Sequence, residues 1–415
     1  MSGYYVGCIR TLIRRYIAAI VASGSRLRQR LSFFPHRLFR ALASGRHSFD
    51  GPMATFDIVV VGCGGGPNES NLSFYLLKAG DAKWEDGIVA LEGGSGLGAL
   101  TRLLDAHPDL FASESSNESA SDVSLTTAVD IYDRIRCYLV THAHLDHVNG
   151  MVLSAGCGTG PAKLVYGTKE TLQGISTIFS GEVWPKLASW ADAKQLGSCL
   201  LLSPLLPEIV YAPVARDISV RLMPISHGQR SPGHTYPCSA YFVRHDPSSR
   251  EFLFFGDVEP DSVSLEPQNR EIWRVAAPKV PDTLSAIFIE CSYPSGRADE
   301  LLYGHLSPEH LTQELCALAV EVVSFRQRSR LQENSNRARK KKRRNAESLP
   351  DLRGSLAGLR VYIIHCKEDL QRKFKEPIHT VIANQVRELV DAKGLGVEII
   401  AAEQGMHISM FPVRQ

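Results

Sequence analysis

The chain predicts an α/β fold in which short strands come in runs and one strand end carries a dense histidine cluster. Three observations lead there. Runs of β-branched and aromatic residues are punctuated by turn residues; helical patterns lie between and after them; and one apolar strand leads straight into His142-Ala143-His144-Leu145-Asp146-His147. With 415 residues, 44% hydrophobic and 22% charged, the chain can bury a sizeable core like an ordinary globular protein. A net charge of +2 gives no ground for a nucleic-acid or membrane surface over the whole molecule. No apolar stretch approaches the roughly 20 residues of a membrane-spanning helix. The nine cysteines include no Cys-x-x-Cys pair, which fits a reducing compartment.

Residues 1–52 contain no acidic residue before Asp50 and no lysine, but nine arginines from Arg10 to Arg46. That is either a mitochondrial targeting composition or an upstream segment preceding a start at Met53; the expected compartment is the cytoplasm, or the mitochondrion if the segment is genuine. From residue 53 onward one domain is expected. Its first strand, Phe56 to Val61, runs into Gly62-Cys63-Gly64-Gly65-Gly66-Pro67, a turn that permits close backbone approach but lacks the Lys-Ser/Thr ending of a P-loop. Strands follow at Ser73 to Leu77 and Ile88 to Leu91, then a Ser-rich loop around Ser113 to Ser124, then Arg134 to Val140 aimed at the histidines.

Later strands are read at Leu164 to Tyr166, Ile218 to Met223, Ala240 to Arg244, Phe252 to Phe255, Ala286 to Ile289, Arg360 to Ile364 and, last, Val397 to Ala401. Ser307-Pro308-Glu309 caps a helix running to about Phe325. Beyond it, residues 326–357 read as a disordered basic insertion around Lys340-Lys341-Lys342-Arg343-Arg344, either solvated or an RNA-binding or import patch. A further helix is expected over Ile378 to Ala392.

Imidazole nitrogens and carboxylate oxygens suit divalent zinc or manganese, and four such ligands fall within six positions. Alternate residues of an extended segment point the same way. His142 and His144 can therefore grip one ion while Asp146 and His147, after a turn, face a second.

This run resembles the His-x-His-x-Asp-His signature of the metallo-β-lactamase superfamily, which implies a four-layer αββα sandwich of two mixed sheets flanked by helices. The resemblance further implies that His227 completes the first metal site, that Asp257 bridges both ions and that His365 completes the second, each placed just after a strand. Met151-Val152-Leu153-Ser154, Phe255-Gly256-Asp257-Val258-Glu259-Pro260-Asp261, Ile289-Glu290-Cys291-Ser292-Tyr293-Pro294 and Gly304-His305-Leu306-Ser307-Pro308 are similar to the class II cyclic-nucleotide phosphodiesterases. Glu92 stands where that pattern leads one to expect an aspartate.

The implied activity is metal-dependent hydrolysis of 3′,5′-cyclic AMP, with cyclic GMP as a further substrate, to the 5′ monophosphate by an ion-activated hydroxide. Such a reaction needs charge neutralisation, an aligned nucleophile and a proton for the departing 3′ oxygen. His305 is the candidate proton donor, on a loop that resembles the histidine loop of transfer-RNA 3′-processing nucleases. Glu290 either orients it or caps a neighbouring element, and Asn71 in the Gly-rich turn either contacts substrate or shapes the loop. Two other readings stay open: a transfer-RNA-processing nuclease using the basic run, and a non-catalytic scaffold stabilised by metal. No nucleic-acid or membrane partner is expected under the leading reading, and a homodimer is compatible with it.

Overall fold

The structure, a computed structural model, describes residues 54–112, 126–207, 210–231, 233–337 and 351–411. The Arg-rich segment, the Ser-rich loop and the run Lys340 to Arg344 lie outside them. Among the described residues, β1 (Phe56–Gly62), β2 (Phe74–Ala79), β3 (Ile88–Leu91), β4 (Ile135–Leu139), β5 (Lys163–Gly167), β6 (Ala188–Trp190) and β7 (Leu200–Pro204) join β15 (His407–Met410) in an eight-stranded sheet ordered β15-β1-β2-β3-β4-β5-β7-β6. The second sheet has seven strands: β8 (Ala212–Ala215), β9 (Ile218–Ser231), β10 (His234–His245), β11 (Arg250–Phe255), β12 (Leu284–Glu290), β13 (Arg360–Ile364) and β14 (Glu398–Ala401), ordered β14-β13-β12-β11-β10-β9-β8.

Both sheets are mixed, with β3, β4 and β5 parallel in the first and β11 through β14 parallel in the second. Their apolar strands are buried on both faces, and the two-residue period of a strand decides which face each side chain serves. Phe56, Ile58 and Val60 of β1 meet Tyr241, Val243, Phe252 and Phe288 between the sheets, whereas Val59 and Val61 point the other way. On that outer side they share a core with helices α1 (Leu97–Ala106), α2 (Ala128–Arg134), α3 (Leu145–Ser154) and α4 (Lys169–Ile178).

The second sheet repeats the device, with Ala286 and Phe288 facing inward and Ile287 and Ile289 facing α5 (Asn269–Ala276), α6 (Pro308–Arg337) and α7 (Ile378–Lys393). Leu311, Leu315, Leu318 and Val322 form the buried stripe of α6, at helical spacing. Three apolar cores therefore separate four layers, the αββα arrangement that the resemblance implied.

Three expectations need correction. First, α6 does not end near Phe325 but continues to Arg337, because Arg, Gln, Leu and Glu are good helix formers and no Gly or Pro interrupts them. Second, β9 does not stop at Met223 but runs to Ser231, paired with β10. Third, Val397 to Ala401 does not close the fold: β15 follows and pairs antiparallel with β1.

Candidate metal centre

The parallel strands of both sheets end at one edge, and their carboxyl ends supply most of the site. Glu92 follows β3, His142 follows β4, Asp257 follows β11, Glu290 ends β12 and His365 follows β13. Open α/β sheets place ligands outside such strand ends because the chain turns there into loops free of packing duties. His227 is the exception. It lies inside the long β9, whose extension past Met223 carries it over the cluster.

His144 precedes the first residue of α3, and Asp146 and His147 sit in its first turn. The second-turn face of that helix is tied down by Gly93 and Gly94, whose carbonyls accept from Met151 N (2.8 Å) and Gly150 N (2.8 Å).

All seven side chains predicted as ligands converge. Ligand atoms of His142, His144, His227 and Asp257 form one group, and those of Asp146, His147, Asp257 and His365 a second, each within 4.8 Å. Asp257 belongs to both. Its Oδ2 lies 3.0 Å from His365 Nε2 and 3.7 Å from both His142 Nε2 and His227 Nε2, while Oδ1 lies 3.2 Å from His147 Nε2.

Whether divalent cations fit can be judged from the far side of each ring, since a ligating imidazole usually bonds through its other nitrogen. His227 Nδ1 donates to the Gly304 carbonyl (2.9 Å), His365 Nδ1 meets Ser73 Oγ (3.2 Å), and His142 Nδ1 meets Thr141 Oγ1 (3.0 Å) and Cys238 Sγ (3.4 Å). Each ring is thus fixed with Nε2 aimed at the cluster. Both nitrogens of His147 are buried without a hydrogen bond, Nδ1 lying 3.4 Å from Glu92 Oε1. Orphan nitrogens among carboxylates are what a cation would satisfy. The residues fit a pair of divalent ions.

The electrostatics agree. Burial holds His142 well below the usual histidine range and His227 down to about 4, so these rings are neutral, as ligands must be. Burial opposes charging of His147 too, yet the Asp257 and Glu92 carboxylates raise it well above that range. That marks a local excess of negative potential. Glu92, the departure from the expected aspartate, is fully buried and bonds the Thr141 hydroxyl; its backbone takes a positive φ of 62° at the strand end. His365 is likewise held at φ 60°, a conformation that costs a non-glycine residue about 1–3 kcal/mol and persists only where the surroundings enforce it.

Gly65 is part of that enforcement. A Cβ there would lie 2.6 Å from His365 Nε2. We expect Gly65→Ala to displace the imidazole and weaken binding of one of the two ions by about 10–100-fold, read by metal titration of the purified variant.

His305 and Glu290 meet beside the two donor groups. His305 Nδ1 lies 2.8 Å from Glu290 Oε1 and 3.8 Å from Asp257 Oδ2. Glu290 also accepts from Val258 N (2.9 Å) and Leu306 N (3.3 Å), and Ser292 Oγ lies 2.6 Å away. Burial pushes the Glu290 carboxyl up to about 7 and the His305 imidazole down to about 4. With two backbone N–H groups already donating to it, Glu290 is suited to accept the Nδ1 proton of His305, which leaves Nε2 as the nitrogen able to exchange a proton.

Asn71 is differently employed. Its amide oxygen accepts from Cys63 N (2.9 Å) and its carbonyl from Gly64 N (2.9 Å), so it braces the Gly-rich turn. Sequence reasoning missed Lys367, whose ammonium lies 3.6 Å from Asp146 Oδ2, and the supporting roles of Ser73 and Cys238. Lys367, two positions past His365, carried at least a proximity signal.

Residues 60–405 match the model of the class-II cAMP phosphodiesterases. A 3′,5′-cyclic-nucleotide phosphodiesterase of Schizosaccharomyces pombe is 34% identical over 280 residues, 65% of this chain and 77% of the relative. One from Aliivibrio fischeri is 30% identical over 363 residues, 86% of this chain and 94% of the relative. The crystal structure of unliganded yeast PDE1 superposes with a TM-score of 0.69 at 23% identity, covering 86% of this chain and 100% of that one, and so shares the fold. A family model spanning most of the chain makes the protein a member of the class-II cAMP phosphodiesterase family.

Proposed function

We propose that the protein hydrolyses 3′,5′-cyclic AMP, and cyclic GMP as a second substrate, to the 5′ monophosphate, ending a cyclic-nucleotide signal. The observation that carries this reading is the placement of the His305–Glu290 pair against Asp257, the residue common to both donor groups. His142, His144 and His227 would hold one divalent ion, Asp146, His147 and His365 the other, with Asp257 shared; zinc suits this mixture of nitrogen and oxygen donors, and manganese is the alternative. When bound, such ions neutralise phosphoryl charge and acidify water.

The protein's own groups do the rest. Glu290 holds His305 through Nδ1 so that Nε2 can take up the proton released by the attacking water and pass it to the departing 3′ oxygen. Asn71 keeps the Gly-rich turn close to His365 and, on this reading, helps shape the substrate's approach. Family membership favours this activity over a transfer-RNA nuclease, and an intact donor set speaks against a bare scaffold. Among the described residues no helix is long and apolar enough to cross a membrane, and the proposed compartment is the cytoplasm.

The test is turnover of cyclic AMP, cyclic GMP and bis-p-nitrophenyl phosphate by metal-replete protein. Chelation is expected to abolish turnover and lower Tm, because ions that bind only the folded state stabilise it. Zinc or manganese should restore both, at two ions per chain by metal analysis. Full activity after the metal is gone would remove the proposal.

A further inference from the structure

We propose that Lys367 is the substrate's phosphate clamp, its ammonium meeting a non-bridging phosphoryl oxygen of the cyclic diester and then of the 5′ monophosphate. This rests on the phosphodiesterase reading for the substrate's identity, but not for the binding of an anion.

Among the described residues, Lys367 is the one lysine or arginine in an ion pair with a member of the metal cluster. Its Nζ lies 3.6 Å from Asp146 Oδ2 and 3.3 Å from His365 Nε2, and it donates to the Gly65 carbonyl. With Gly66, Leu145, Asp146 and Asn149 it lines a cavity of about 520 Å³ that opens beside the second donor group. An ammonium has three donors. Gly65 takes one and Asp146 offers a long second contact; with His365 Nε2 committed to an ion, as the proposed assignment has it, the third donor is left for the cavity.

A structural alternative is that Lys367 merely straps the Gly-rich turn to the loop after β13. The backbone already performs that task. His365 N donates to the Cys63 carbonyl (2.6 Å), Gly65 N to Cys366 (3.1 Å), Glu368 N to Gly66 (3.3 Å), and Lys367 N to Ser292 (2.9 Å). With four such bonds joining residues 365–368 to their surroundings, a partly desolvated cation is not needed as a fastener. A partly buried positive charge beside an open cavity and a donor group is instead what an anionic group in transit requires.

The chemistry gives the contact a direction. The cyclic diester carries one negative charge and the monophosphate product approaches two at neutral pH. A point charge facing the phosphoryl oxygens therefore binds more strongly as the reaction proceeds, so its loss lowers kcat as well as raising KM.

The experiment uses the metal-loaded full chain, wild type against Lys367→Met and Lys367→Arg. Losing a hydrogen bond to a charged group is expected to weaken inorganic phosphate and 5′-AMP binding by about 10–100-fold in Lys367→Met, with kcat/KM for cyclic AMP falling alongside. Affinity for uncharged adenosine and the metal content should stay unchanged, and Lys367→Arg should recover part of the phosphate affinity. Unchanged phosphate binding in Lys367→Met would overturn the proposal; so would a parallel fall in adenosine and metal binding, which is the signature of a strap. If wild-type protein turned over no cyclic nucleotide, the phosphodiesterase reading alone would fail, since phosphate titration still decides the role of Lys367.

Discussion

Asp257→Ala should be inactive towards cyclic AMP and should no longer hold two ions. Asp257 is 2% exposed and faces His142, His147, His227 and His365 at 3.0 to 3.7 Å, and among the described residues it is the one carboxylate shared by all three four-donor groups. On the proposed assignment, removing it would take a ligand from each ion and the negative charge that balances them. If the ions contribute several kcal/mol of charge stabilisation to the transition state, the loss is at least about 10³-fold at about 1.4 kcal/mol per factor of ten. Metal analysis, turnover and the metal-dependent shift in Tm should all fail together. An Asp257→Ala protein that kept two ions and wild-type turnover would show that the shared carboxylate is not the hub of the site.

For His305→Ala we expect the opposite division: both ions retained and kcat lowered by about 10²–10⁴-fold, the range for one acid–base group. The His305 ring falls outside the two groups assigned to the ions, although with His227, Asp257 and Glu290 it forms a third four-donor group that could hold one. Metal content therefore discriminates between a proton donor and a ligand. A second discriminator is the leaving group. p-Nitrophenolate departs without protonation, so the variant should lose much less activity on bis-p-nitrophenyl phosphate than on cyclic AMP. Glu290→Gln should fall by about 10–100-fold on cyclic AMP, because a charge-assisted hydrogen bond to Nδ1 is exchanged for a neutral one. Equal losses on both substrates would show that His305 does not protonate the departing oxygen.

Much of this centre was legible in the linear chain because a strand that ends in polar residues shows its hand locally. His142 to His147, Asp257 after Phe252 to Phe255, and His365 after Arg360 to Ile364 each sit where an apolar run gives way to a ligand-bearing residue. His227 was found for an incomplete reason. Its strand goes on to Ser231 since pairing with β10 extends the ladder through residues that lack a clean apolar alternation. The length of α6 was misjudged in the same way, a charged run being read as loop although its residues favour helix.

Residue order and local pattern were enough for the number of strands near the site, the ligand types and the chemistry they suit, because those depend on periodicity and on what each side chain can donate. The orientation of the rings was not readable there. Ser73, Gly304, Cys238 and Glu92 aim the histidines from positions remote in sequence, and Lys367 acquires its place only when the Gly-rich turn folds against the loop after β13. Such contacts leave no local trace, since a hydrogen bond between distant segments requires both sheets to be packed before either partner can be recognised.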